Sequence, residues 1–253
     1  MTISEIKRVL EDAPPGQLPE VWPQFEGDGR AGVKKLVEYY KKWYNKWGQE
    51  EARCRGMLAF EARYAARGFV RICGVDEAGA GPLAGPVAAA AVILPEGCII
   101  HGLDDSKKLT AKARGRLYDE ILDVAVAWHV AFVDNVEIDE ANILQARLRA
   151  MERAARGLAP AADFVLVDGV RSPDFGVACA AIQGGDSLSA SIAAASVLAK
   201  VARDKIMLDY HEIYPQYGFD SHKGYGTARH MAAIEKYGPT PIHRRTFLGW
   251  YYD

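Results

Sequence analysis

From residue 69 onward, short apolar runs of β-compatible residues alternate with helical stretches, and three of the runs give way to carboxylates. This alternation limits the fold more than any other feature of the chain. Residues 69–75, 87–94, 128–133, 164–167 and 178–182 read as strands. Helices are predicted over residues 111–126 (begun by Thr110), 137–156, 187–211 and 228–237. The first three strands have short or simple connections, whereas the later ones alternate with helices. The pattern predicts an α/β domain, a mixed five-stranded sheet flanked by helices, with further helices at the C-terminus. Hydrophobic residues make up 49% of the 253, enough for a core of that size.

The first 69 residues read differently, as an N-terminal helical extension (1–69) preceding the sheet domain (70–253). A short helix is expected over 3–12, a proline- and glycine-rich loop over 14–32, and a long helix over 33–67. That last segment interleaves Lys34, Lys35, Lys41, Lys42 and Lys46 with Tyr39, Tyr40, Trp43, Tyr44 and Trp47. Two readings stay open: a helical hairpin with aromatics inward and lysines solvated, or an appendage that touches nucleic acid through charge and stacking. A net charge of −2 excludes a globally basic binder, so a polyanionic partner needs a local patch or bound cations. Cys54, Cys73, Cys98 and Cys179 form no CxxC pair, which points to a reducing, cytoplasmic home. Glu5 and Glu11 sit where an export signal would be apolar. The longest apolar stretch, 87–94, is too short to span a membrane.

The carboxylates carry the chemistry. Asp76 and Glu77 follow the first strand, Asp168 follows the fourth, and Asp186 comes shortly after the fifth. Strand ends near a change of direction are where α/β sheets place their sites. Acids gathered there repel one another unless a cation binds them, and oxygen ligands suit Mg²⁺ or Mn²⁺. Two such ions hydrolyse phosphodiesters efficiently. Each acid also has a plainer reading: Asp168-Gly169 as a turn, Asp186 as the cap of a helix starting at Ser187. Neighbouring strand residues point to opposite faces, so Asp76 and Glu77 share a site only if the chain bends. Gly79-Ala80-Gly81 is no nucleotide cradle, because Pro82, Pro86 and a strand follow it rather than a helix.

At these residues the chain resembles the ribonuclease HII family. The matching segments are Gly74-Val75-Asp76-Glu77-Ala78-Gly79-Ala80-Gly81-Pro82-Leu83-Ala84-Gly85-Pro86-Val87, Asp105-Ser106-Lys107-Lys108-Leu109, Val167-Asp168-Gly169, Gly185-Asp186 running into the small-residue helix, and His222-Lys223-Gly224-Tyr225-Gly226-Thr227. The 239–247 tail with His243-Arg244 is also similar. The resemblance implies a ribonuclease H-like fold and Asp76, Glu77, Asp168 and Asp186 as both catalytic and metal-binding residues, using Mg²⁺ or Mn²⁺ as two ions. It implies a monomeric endonuclease acting on RNA–DNA hybrids and on DNA duplexes containing ribonucleotides, leaving 3′-hydroxyl and 5′-phosphate ends. It further implies that Tyr225 stacks near the junction sugar and that Gly79, Ala80 and Gly81 correspond to the Gly-Arg-Gly that reads the 2′-hydroxyl. Ala80 departs from that pattern and removes a planar, always-charged group. Lys107, Lys108, Lys200 and Lys223 are candidate phosphate contacts, and His222 and His243 candidate proton carriers. Within enzymes the competing reading is a DNA nuclease or resolvase of the same fold; outside them it is a non-catalytic duplex binder.

Overall fold

The computed structural model describes residues 1–252. By compactness the chain divides into two units, Met1–Arg55 and Gly56–Asp253. The division falls ahead of the expected 69/70 boundary, and the last helix of the 1–69 segment packs with the sheet.

The first unit holds α1 (Ile3–Asp12), α2 (Leu18–Val21), α3 (Pro23–Glu26) and most of α4 (Ala31–Gly56). Thr2 and Glu5 form a reciprocal capping box at the start of α1. The expected 14–32 loop is interrupted by short helical turns, each with a proline in its first turn, where the missing N–H costs nothing. Ile6, Leu10, Leu18, Phe25, Val33, Val37 and Tyr40 make the unit's own core. The lysine-rich helix splits its aromatics: Tyr40 is buried and Tyr44 stacks on Trp47, while Tyr39 and Trp43 are exposed.

The predicted 33–67 helix breaks at Met57-Leu58, and α5 (Ala59–Ala65) follows. The reason is a contact with a residue distant in sequence. Met57 is buried, and its carbonyl accepts the N–H of Ala190 (2.9 Å) instead of continuing the helix. Tyr64 of α5 then stacks on Phe164 at 3.9 Å between ring centroids.

The second unit contains the five-stranded sheet, ordered β3 (Ala127–Val133), β2 (Val87–Ile93), β1 (Ile72–Ala78), β4 (Phe164–Asp168), β5 (Ala178–Ile182). The β1–β2 and β2–β3 pairs are antiparallel; β1–β4 and β4–β5 are parallel. The mixed sheet expected from the sequence is therefore present. β2 is buried along its whole length, as a continuous apolar run with helices on both faces should be. On one face lies α8 (Ile143–Arg156), preceded by α7 (Asn135–Ala141); on the other lie α9 (Ala190–Ile213) and α6 (Ala111–Val124). Thr110 caps α6 as predicted. The single helix expected over 137–156 is two, because Asn142 adopts φ +72° and its side chain caps α8 through the N–H groups of Leu144 and Gln145.

The approach of α9 to β1 fixes the site. A methyl placed on Gly74 would lie 2.0 Å from the Ser191 carbonyl carbon and 2.2 Å from the Ile192 nitrogen. The small run Ala190, Ser191, Ala193, Ala194, Ala195 permits this, so helix backbone meets strand backbone. Two further helices, α10 (Phe219–His222) and α11 (Ala228–Tyr237), and the terminal α12 (Gly249–Tyr252) complete the unit. Among the described residues no helix is long and apolar enough to cross a membrane.

Candidate active site

β1 runs further than the sequence suggested, so Asp76 and Glu77 lie inside it, paired with Ala90 and Ala89 of β2. Asp76, 3% exposed, is bonded by Ser196 of α9 and accepts the Glu77 N–H at 2.7 Å. Glu77 meets Arg147 of α8, with Nη2 to Oε1 at 2.5 Å. The two acids thus serve opposite faces at one strand end. The parallel register pairs Val75 with Val167, which sets Asp168 alongside Asp76. Asp168 accepts the Gly185 N–H at 2.7 Å, a bond to the segment carrying Asp186 rather than one within its own turn. Nor does Asp186 cap the long helix: it sits in a 3₁₀ turn, Gly185–Ser187, and Ser189 is the cap.

The acids feel one another strongly. Burial, then the charges of Glu77 and Asp168, push Asp76 well above the usual carboxylate range. Burial raises Glu77, with Asp168 adding to it and Arg147 pulling against it. Asp186 is pushed up to about 6 by burial, then by Asp105 and Asp168. Lys107 stands 4.0 Å from Asp186. Burial works against its charge, but Asp105, Asp76, Asp186 and Glu77 together outweigh that and hold its pKa above the ordinary value. Among the described residues no three carboxylate, histidine or cysteine groups stand at metal-coordination spacing.

Beyond β1 the glycine loop is held from beneath by two buried guanidiniums. Arg203 donates to the carbonyls of Pro86, Ala84 and Lys223. Arg244 donates to those of Gly79, Ala80 and Gly85. Gly79 has φ +91°, and a Cβ there would lie 2.0 Å from Arg203 Nε, so only glycine fits. A Cβ on Gly81 would touch the Tyr225 ring at 3.8 Å, and Tyr225 is 44% exposed. The loop and Tyr225 are therefore neighbours. Lys200 is not drawn to the acids: its ammonium pairs with Asp204, one helical turn away, at 2.8 Å.

His222 and His243, weighed as proton carriers, brace the Tyr225 loop instead. Gly224 N–H donates to His222 Nδ1, so its Nε2–H donates to the Tyr217 carbonyl. Thr240 N–H donates to His243 Nδ1, which makes its Nε2–H the donor to His230 Nε2 (3.0 Å). His230 in turn donates from Nδ1 to the Tyr225 carbonyl. Every ring is neutral in this chain of bonds; a proton on His230 Nε2 would face another N–H. Burial first, and His230 second, lower His243 to about 4; for His230, also lowered to about 4, burial again leads. Folded pKa values below the unfolded one mean that the stability these rings contribute is complete above about pH 6.5 and is lost as pH falls towards about 4. Asp186, raised to about 6, contributes with the opposite sign in the same window, so a global melt mixes the two. Ring-proton NMR separates them: the His230 and His243 signals should stay neutral down to about pH 5, and titration near the ordinary imidazole value would refute the bonding pattern.

Sequence reasoning did not single out Arg147, Asp105, Ser196, Arg203 or His230. Arg203 carried a signal, a lone arginine in the otherwise small and apolar face of α9. Arg147 carried none, since an arginine beside Arg149 on a surface helix looks solvated.

The family model described as Ribonuclease HII matches residues 73–249, and that described as Ribonuclease HII N-terminal domain matches residues 2–65. Ribonuclease HII of Ruminiclostridium cellulolyticum is 46% identical over 96% of each chain. The Geobacter sulfurreducens protein of the same name is 55% identical over 75% of this chain and 88% of its own. Among solved structures, ribonuclease H2 of Pyrococcus horikoshii superposes with a TM-score of 0.61 at 26% identity, covering 70% of this chain and 93% of that one. Sheet order, strand-end acids and near full-length similarity agree: this chain belongs to the ribonuclease HII family of ribonuclease H enzymes.

Proposed function

We propose that this enzyme is an endonuclease that hydrolyses the RNA strand of RNA–DNA hybrids and cuts 5′ of ribonucleotides embedded in duplex DNA, leaving 3′-hydroxyl and 5′-phosphate ends. The observation that carries the reading is the gathering of Asp76, Glu77, Asp168 and Asp186 at one end of the sheet, beside the glycine loop.

Mg²⁺ or Mn²⁺ fits this donor set. All the side-chain donors are hard oxygens. Their burial and mutual repulsion leave the cluster short of positive charge. Glu77 Oε2 is buried with no hydrogen-bond partner among the described residues. Asp76, Glu77, Asp168 and Asp186 would hold two ions, which when bound activate water and stabilise the leaving oxygen. The chain's own groups do the positioning. Ser196 and the Glu77 N–H orient Asp76, and the Gly185 N–H orients Asp168. Lys107, whose side chain is 76% exposed, offers charge to a phosphate. Arg203 and Arg244 keep the 79–86 backbone rigid enough to meet a ribose, and exposed Tyr225 offers a face for stacking.

The test is cleavage of three matched duplexes: continuous RNA on DNA, one embedded ribonucleotide, and all DNA. Cutting of the first two and not the third is expected; equal cutting of all-DNA duplex overturns the reading. Ala80 gives a second expectation. Its carbonyl is fixed by Arg244, so an added side chain would project from an ordered loop. Ala80→Arg should tighten binding of the single-ribonucleotide duplex by about tenfold, the size of a charge-assisted contact discounted for exposure. Unchanged affinity and rate would show that the loop acts through its backbone alone.

A further inference from the structure

We infer that Arg147 is an internal counter-ion that competes with the divalent cation for Glu77, and so sets how much metal the site needs. The inference rests on the proposed metal-dependent function and concerns the same site.

Glu77 Oε1 accepts Arg147 Nη2 at 2.5 Å, and the Glu77 side chain is 10% exposed. The pair is incomplete on both sides. Glu77 Oε2 and Arg147 Nε are both buried without hydrogen-bond partners among the described residues, so the contact is a single bond rather than a two-pronged fork. A buried carboxylate with one satisfied oxygen is poorly compensated, and a second cation gains by reaching it. Arg147 also has somewhere to go. Its side chain is 34% exposed and lines an open cleft of about 390 Å³ together with Leu144, Asp168, Gly169, Gln183 and Gly184. The backbone around it is fixed, because Asn142 caps α8 and Ala146 and Ala150 are buried against the sheet. Arg147 can therefore leave Glu77 by side-chain rotation alone.

Removing the guanidinium deletes a competitor and a nearby positive charge, and both effects favour a divalent ion. The experiment is calorimetric titration of Mg²⁺ and of Mn²⁺ into the substrate-free full-length protein at mildly alkaline pH, for the wild type, Arg147→Met and Arg147→Lys. Arg147→Met should bind the ions about tenfold more tightly, the size of one charge-assisted bond at a partly exposed group. Arg147→Lys keeps the charge and should stay near the wild type. The melting temperature of ion-free Arg147→Met should fall, and its rise on adding Mn²⁺ should exceed that of the wild type. If Arg147→Met proves too unstable to handle, Arg147→Gln carries the same comparison. Unchanged or weaker ion affinity in a folded Arg147 variant, with the wild type binding normally, overturns the inference and leaves the proposed function standing. Loss of duplex affinity without a change in ion affinity overturns it too, and makes Arg147 a phosphate contact. Absence of divalent-ion binding in every protein, the wild type included, removes both this inference and the metal-dependent reading.

Discussion

Asp76→Asn and Asp168→Asn should each lower Mg²⁺- or Mn²⁺-dependent cleavage by about 10²–10³-fold or more, the loss expected when a preorganised electrostatic group is removed from an active site. Neither substitution should unfold the protein. An amide oxygen at 76 still accepts the Glu77 N–H, and one at 168 still accepts the Gly185 N–H. The ion-free melting temperature should rise in Asp76→Asn. The native carboxylate is buried beside Glu77 and Asp168, and its charge is a cost the fold carries for the sake of the site. Relieving about 1 kcal/mol of that cost raises the melting temperature by about 2–4 °C in a domain of this size. Divalent ions should then stabilise the wild type much more than either variant. Opposite movement of activity and stability separates a functional acid from a structural one. Full activity in either variant, or wild-type cleavage that survives a chelator, would sink the metal-dependent reading.

The acids are legible in the sequence because each follows an apolar run whose length and composition already read as a strand. Their companionship is not. Asp76 and Asp168 lie beside each other only through the parallel β1–β4 register, a pairing across the chain that no local pattern reveals. The continuation of β1 through Ala78 is hidden for a related reason. Asp and Glu are poor strand formers, but pairing with Ala88, Ala89 and Ala90 of a fully buried neighbour extends the ladder past them. The breaks at Met57-Leu58 and at Asn142 are invisible because both flanks have good helical periodicity. In one case a long-range bond to Ala190 ends the helix, and in the other an asparagine in the left-handed region does. The Tyr225 loop stands out by composition, but its support comes from elsewhere. Arg203, Arg244 and the His222–His230–His243 set converge on it from separate elements. Arginine and histidine patterns read locally as surface.

Gly74→Ala should be among the most damaging single-methyl changes in the protein. In most strands this substitution helps slightly, because glycine loses more backbone freedom on folding than alanine does. Here the added methyl would lie 2.0 Å from the Ser191 carbonyl carbon, 2.2 Å from the Ile192 nitrogen and 2.4 Å from the Ser191 oxygen. These are backbone atoms at the start of α9, so no side-chain rotation relieves the overlap, and the helix itself must move off β1. That movement has two consequences. The first is stability: overpacking against rigid backbone costs about 3 kcal/mol or more, which lowers the melting temperature by roughly 10 °C. The second is activity, because α9 carries Ser196, which bonds Asp76, and the Ser191 segment lies directly after the Asp186 turn. Displacing α9 therefore disturbs two acids at once, and ion affinity should fall along with stability. Gly48→Ala is the control. Gly48 lies inside α4, where an added methyl would meet nothing within 4 Å, so the same chemical change should stabilise the protein by about 0.5–1 kcal/mol through helix propensity. A Gly74→Ala protein that melts and binds ions like the wild type would show that α9 does not press on β1 as the geometry requires, and that Asp76 takes its position from the sheet alone.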